Sequence, residues 1–132
     1  MKKKIISALV CAMFLVSAAV PAFATTGQFS FSLDPNENSG VAYSSNQTKD
    51  DNENQAYVTP TSGNVISSDL LYFAVATSGH SRVTGYAGGS GVQYNVTYHP
   101  QYNSGENVPG RILCLLGDTD RYTVSVAGRW TP

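Results

Sequence analysis

The chain has 132 residues, 42% of them hydrophobic and only 13% charged, with a formal net charge of −1. That length accommodates one domain of ordinary size and excludes a second. Three of the eight Lys and Arg residues fall at positions 2–4, and the remainder of the chain sets scattered cations against nine acidic groups. A clustered basic face for nucleic acid or for an anionic membrane surface is therefore not expected.

Lys2, Lys3 and Lys4 precede an apolar run from Ile5 to Val20 and then Ala22-Phe23-Ala24. A basic start, a short apolar stretch and a small-x-small site describe a cleaved signal peptide over residues 1–24, with a single domain over 25–132. The apolar run is short for a bilayer-spanning helix. Cys11 follows Ala8-Leu9-Val10 rather than a lipobox, so it is expected to leave with the signal. Cys114 is then the only thiol, no internal disulfide can close, and stability must come from the core. No sorting motif with a hydrophobic tail follows Trp130, so free release or non-covalent wall association is expected.

Apolar residues alternate with period two through nearly every segment, and none recurs at helical spacing for three turns. Phe29, Phe31 and Leu33 share one face of a first strand that Asp34-Pro35-Asn36 ends. A short edge strand over Val41 to Ser45 leads into Asn46 to Asn54, which holds no aliphatic residue and is expected to be mobile. Gln55 to Thr59 reads as a third strand stopped by Pro60, with a turn at Thr61 to Asn64. Leu70 to Val75, apolar on both faces, reads as a central strand. Arg82 to Ala87 and then Val92 to Tyr98 are expected as two more strands, separated by the turn Gly88 to Gly91. Arg111 to Leu116 and Tyr122 to Trp130 are expected to form a hairpin about Gly117 to Asp120, with Trp130 packing in the core at the end of an inward row. Seven or eight short strands punctuated this way predict an all-β, antiparallel two-sheet sandwich, with a small barrel as the alternative.

Chemistry is sparsely marked. Cys114, a histidine and Arg121 faintly resemble the Cys-His-Arg set of the sortase transpeptidases, but Ile112-Leu113-Cys114-Leu115-Leu116 is aliphatic where those enzymes carry threonines. An aliphatic strand raises a thiol's pKa, so Cys114 is expected to be a buried, unreactive residue. His80 and His99 lack partners at zinc spacing, and no Gly-x-Ser-x-Gly elbow is present. No catalytic residue is assigned, and an enzyme ranks last among the function classes. Asp50, Asn52 and Asn54 place oxygen ligands at alternating positions and form a candidate weak Ca²⁺ loop; no other cofactor is expected. Tyr94, Tyr98 and Tyr102 form the candidate ligand surface, since flat amphipathic rings suit sugar and protein partners.

The opening Phe29-Ser30-Phe31-Ser32-Leu33, the Tyr- and Asn-rich middle and the closing Val124-Ser125-Val126-Ala127-Gly128-Arg129-Trp130 resemble small uncharacterised secreted β-rich proteins of Gram-positive bacteria. Some of those are encoded beside bacteriocin-type export systems. The resemblance bears on the fold rather than on an activity; with an enzyme ranked last, the expectation is a secreted, extracellular interaction protein, bacteriocin-like or surface-binding, whose partner is a protein or a cell-surface glycan. The alternative is a self-associating surface or matrix protein, for which a homo-oligomer would be expected. The exported protein should begin at Thr25; mass spectrometry that finds residues 1–24 attached would refute the cleavage site.

Overall fold

The structure, a computed structural model, describes residues 26–132. The signal segment expected over 1–24 lies outside the described residues. Among the described residues there is no helix, and eight strands form two antiparallel sheets: β1 Gly27–Leu33, β2 Val41–Tyr43, β3 Gln47–Thr48, β4 Tyr57–Gly63, β5 Leu70–Thr77, β6 Ala87–Ser90, β7 Ile112–Asp118 and β8 Val124–Thr131. One sheet has the order β1-β8-β4. The other has the order β2-β7-β5-β6, with β3 also pairing β7. The expected two-sheet sandwich is the observed architecture, and the sheets do not close into a barrel.

The core follows from alternation. Phe29, Phe31 and Leu33 of β1, Val58 of β4 and Val124, Val126 and Trp130 of β8 point inward from the three-stranded sheet. Leu71, Phe73 and Val75 of β5 meet them with Leu113 and Leu115 of β7. Burying each such side chain contributes about 1.5–3 kcal/mol. Phe29 stacks at a tilt on Phe31 and edge-on to Phe73, at centroid separations of 5.0 and 5.8 Å. Two glycines make room for these rings. A Cβ at Gly117 of β7 would lie 2.5 Å from the Phe31 ring, and one at Gly128 of β8 would lie 2.2 Å from the Thr59 carbonyl oxygen and 3.0 Å from the Phe29 ring.

Several expectations are corrected. β7 and β8 are not a hairpin: they belong to different sheets, and the short link from Thr119 to Thr123 crosses between them. β8 instead pairs with β1, joining the two ends of the described chain over a seven-residue register from Gly27↔Trp130 to Leu33↔Val124. Pro60 does not stop β4. Its carbonyl accepts from Asn95 N at 2.7 Å on the side away from β8, so a proline N there withholds no ladder donor. The expected turn at Thr61 to Asn64 is a bulge within the same strand. β6 forms from the glycines read as a turn, while Arg82 and Thr84 make only isolated bridges. Val92 to Tyr98 is not a strand: Asn95 turns the backbone at φ 62°, and only Tyr98 bridges, to Val58.

The polar stretch from Asn46 to Asn54 has an anchor the sequence did not suggest. β3 lies on β7, and the Lys49 side chain is wholly buried. Lys49 N donates to Arg111 O at 2.9 Å and Gly110 N donates to Lys49 O at 2.6 Å. Asn107 Nδ2 donates to Asn52 O at 2.8 Å, and Tyr102 N to Asn54 O at 2.9 Å. Two loops that each look free in sequence are thus zipped to one another.

Trp130 is 1% exposed, and its Nε1 has no hydrogen-bond partner among the described residues; the indole is buried in the core and acts through packing. Trp130→Ala should cost about 3–5 kcal/mol, a large share of the 5–15 kcal/mol typical of a whole domain. Chemical denaturation measures it. A native emission at the solvent-exposed wavelength, with an unchanged unfolding midpoint in the variant, would instead give Trp130 a surface role.

Candidate functional site

The outer face of the five-stranded sheet gathers two ring pairs, Tyr43 with His80 and Tyr72 with Tyr86. Residues of opposite parity to the core point there: Val41 and Tyr43 from β2, Cys114, Leu116 and Asp118 from β7, Tyr72, Ala74 and Ala76 from β5. The ladder puts Tyr43, Leu116 and Ala74 in one cross-strand row and Val41, Asp118, Tyr72 and Gly88 in the next. Arg82 bridges to Ala76 beside them.

These side chains hold one another. The Tyr43 and His80 rings are parallel within 2° at a centroid separation of 3.7 Å. His80 reaches that position from the turn after β5, where it takes φ 68°. Tyr72 meets Tyr86 edge-on at 5.9 Å, and the Arg82 guanidinium lies 4.3 Å from the centre of the Tyr86 ring. Tyr86 OH donates to Asp118 Oδ2 at 3.3 Å. Burial pushes the Asp118 carboxyl above its ordinary value; the Tyr86 hydrogen bond opposes that and the nearby Asp120 charge adds to it. The Tyr86 phenol is raised as well, first by burial and then by the Asp118 charge, with Arg82 pulling the other way. Tyr86 nevertheless remains 48% exposed. The result is a set of rings with a guanidinium and a carboxylate at their margins, fixed before any partner arrives.

Cys114 lies on this same face and is buried among small neighbours, Ala74 and Ala76. Its Sγ donates to Thr77 O at 3.4 Å, and burial pushes the thiol pKa up. Arg121 is exposed in the link between β7 and β8. A raised pKa and a buried sulfur are opposite to what a thiolate nucleophile requires.

The residues singled out from sequence sit elsewhere. Tyr94 and Tyr98 are half-buried against the core, and their hydroxyls accept from Val65 N at 2.8 Å and Gln93 N at 2.9 Å. Tyr102 is buried, its hydroxyl has no partner among the described residues, and burial holds its phenol far above the ordinary value. The three are not gathered into one exposed platform. Asp50, Asn52 and Asn54 are exposed, and the backbone carbonyls of Asn52 and Asn54 accept from Asn107 Nδ2 and Tyr102 N. Among the described residues no three His, Cys, Asp or Glu side chains are grouped closely enough to hold a metal ion. Sequence parity could have found Tyr72, which alternates with Leu71 and Phe73, but the partners it meets come from distant segments.

The three-stranded sheet presents a different outer face, lined with Gln28, Ser30, Thr61 and Arg129 around an open groove of about 490 Å³. It is hydroxyl-rich, and its one ring contact is Tyr57 edge-on to His99 at a centroid separation of 5.0 Å, at the β4 side. Comparison of the chain with protein-family models, curated proteins and solved structures gives no match.

The Lys49 cluster supports the rim of the molecule rather than the aromatic face. Lys49 Nζ donates to Asp51 Oδ1 at 2.8 Å and lies 4.6 Å from the Tyr102 ring centre. Burial raises the Asp51 carboxyl, but the hydrogen bonds from Lys49 and Glu53 N and the Lys49 charge outweigh it, and the pKa falls below 3.8. A depressed carboxylate stabilises the fold above its unfolded value, and that contribution is lost as pH falls through the folded one. Asp51→Asn leaves the buried ammonium without a counter-charge; with Asp51 37% exposed, the expected cost is about 2 kcal/mol, below the range for a fully buried pair. Urea unfolding should show that loss at about pH 7 and a smaller gap between variant and wild type at about pH 3. An equal gap at both would place the origin of the loss outside the ion pair.

Proposed function

We propose that the domain is an exported interaction module of a Gram-positive bacterium that binds its partner, a protein or glycan of a cell surface, through the Tyr43/His80 and Tyr72/Tyr86 face. The reading takes compartment from the signal-like start and binding chemistry from the site. Its main support is the pinned ring set with Arg82 and Asp118 at the margins. Tyrosine and arginine supply large, rigid contact area with polar tips, the composition that dominates recognition surfaces. Because each ring is already fixed by a neighbour, little side-chain freedom remains to be lost on binding. The buried Cys114 thiol gives no comparable support to catalysis.

Binding of the exported protein to intact cells and to purified cell walls tests the proposal. Tyr72→Ala and Tyr86→Ala should each weaken binding about tenfold or more, the loss of a ring anchor, while thermal midpoints move by only a few degrees. Protease treatment of the cells separates a protein partner from a glycan. Binding that survives both substitutions in folded protein would remove this face from the function.

A further inference from the structure

Among the described residues, the three-stranded sheet ends in an uncovered edge, and the hydrogen-bond pattern identifies which groups it exposes. Val58 of β4 exchanges both backbone bonds with Tyr98, at 2.9 and 2.7 Å, and Pro60 O accepts from Asn95. Both residues therefore turn away from β8. Their ladder partners Trp130 and Gly128 must then turn toward β1, which makes Gly27↔Trp130 and Phe29↔Gly128 the hydrogen-bonded pairs. It follows that Gln28, Ser30 and Ser32 aim their N–H and C=O groups away from the sheet. Asn38 confirms this from the other side: its Nδ2 donates to Ser32 O at 3.1 Å and its Oδ1 accepts from Asp34 N at 3.0 Å. Asn38 thereby caps the far end of the edge. The N–H and C=O of Gln28 and of Ser30 remain without a partner among the described residues.

An open edge of this kind is a template for another strand, and the usual protections are missing. β1 contains no proline, no lysine and no charge of either sign. β4 differs, since residues 95–100 cover its outer edge through Asn95, Tyr98 and Pro100.

We infer that β1 pairs antiparallel with β1 of a second copy of this chain, centred on Phe29, so that Gln28 of each copy lies opposite Ser30 of the other. In this register the two residues exchange both N–H···O=C bonds in each direction, which uses all four free groups and nothing else. The pairing is self-complementary about a two-fold axis, as a closed dimer requires. A shift centred on Ser30 would place Gln28 of the second copy on the Ser32 carbonyl that Asn38 already holds. The uncharged strand lets two net-acidic domains approach without like charges meeting across the seam. The outer faces of the two three-stranded sheets would run together into one, carrying the hydroxyl-rich groove across the junction. The contact is small, so association is weak and concentration-dependent. It is independent of the aromatic face, which belongs to the other sheet.

Sedimentation equilibrium of the exported protein, from micromolar to near-millimolar concentration, tests the pairing. Wild type should pass from monomer to dimer. Ser30→Pro removes an outward N–H without touching the β8 ladder, and should weaken association at least tenfold with the unfolding midpoint retained. Ser30→Lys keeps that N–H but sets a cation beside its symmetry mate, and should weaken association in a salt-dependent way; it serves as the readout should the proline variant fail to fold. A wild type that stays monomeric throughout would overturn the inference. So would a dimer indifferent to both substitutions, or a monomer that takes up an extended peptide at this edge instead.

Discussion

The spacing of the two sheets depends on where the rings of Phe29 and Phe31 can go. Both project from β1 into a core that the facing strands already fill with Leu71, Phe73 and Leu115. Space for them exists because two strands carry glycine at the point of contact: Gly117 in the facing sheet receives Phe31, and Gly128 in the neighbouring strand lies against Phe29. Interiors are packed like crystals, so a single methyl at either glycine must displace an aromatic ring or a backbone. At Gly128 the obstacle is the Thr59 carbonyl, which cannot move without disturbing β4. The bulge in β4, the register of β1 on β8 and the seating of the rings are consequently one constraint rather than three.

That constraint explains which parts of the fold could be read from sequence. Alternation in Phe29 to Leu33, Leu71 to Val75 and Val124 to Trp130 reports which side chains face the core, because burial acts on each strand separately. Sheet membership is a property of pairs of strands and leaves a weaker trace. A four-residue turn such as Gly117 to Asp120 usually closes a hairpin; here Gly117 is still inside β7, and the chain changes sheets afterwards. The crossing is held by a contact from far away. Thr119 N donates to Gly40 O at 2.9 Å, and a Cβ at Gly40 would come within 1.9 Å of the Thr119 carbonyl oxygen. Only a glycine, here at φ 74°, admits that approach, and nothing local to Thr119 announces it.

The candidate site was less legible for a related reason. Tyr94, Tyr98 and Tyr102 attract attention as a group because they are close in sequence, yet the turn at Asn95 and the bridges to β4 and Thr84 fold that segment against the core. Their hydroxyls then serve backbone donors at Val65 and Gln93, or are buried outright. Tyr43, Tyr72 and Tyr86, by contrast, come from segments well apart in the chain and are brought to one face by the β2-β7-β5 pairing and by the segment after β5. Lys49 follows the same logic in reverse. It sits in a run of polar residues that reads as solvated, and becomes buried because β3 lies along β7 and Tyr102 packs over it.

The two outer faces of the sandwich differ in a way that bears on what each can do. Beneath the rings of the five-stranded sheet lie Ala74, Ala76, Cys114 and Leu116, all buried although they point away from the core. Over these short side chains Tyr43 stacks on His80 and Tyr72 meets Tyr86 edge-on, so the rings hold one another while His80 and Tyr86 still meet solvent. A partner placed there displaces water mainly from ring surface and from the Arg82 and Asp118 margins, and gains apolar contact at low ordering cost. The other face offers, besides the Tyr57/His99 pair, Gln28, Ser30, Thr61 and Arg129 around its groove, and these groups bind water well. Association on that side has to come from directional bonds, and the backbone edge of β1 is where such bonds are left unmade.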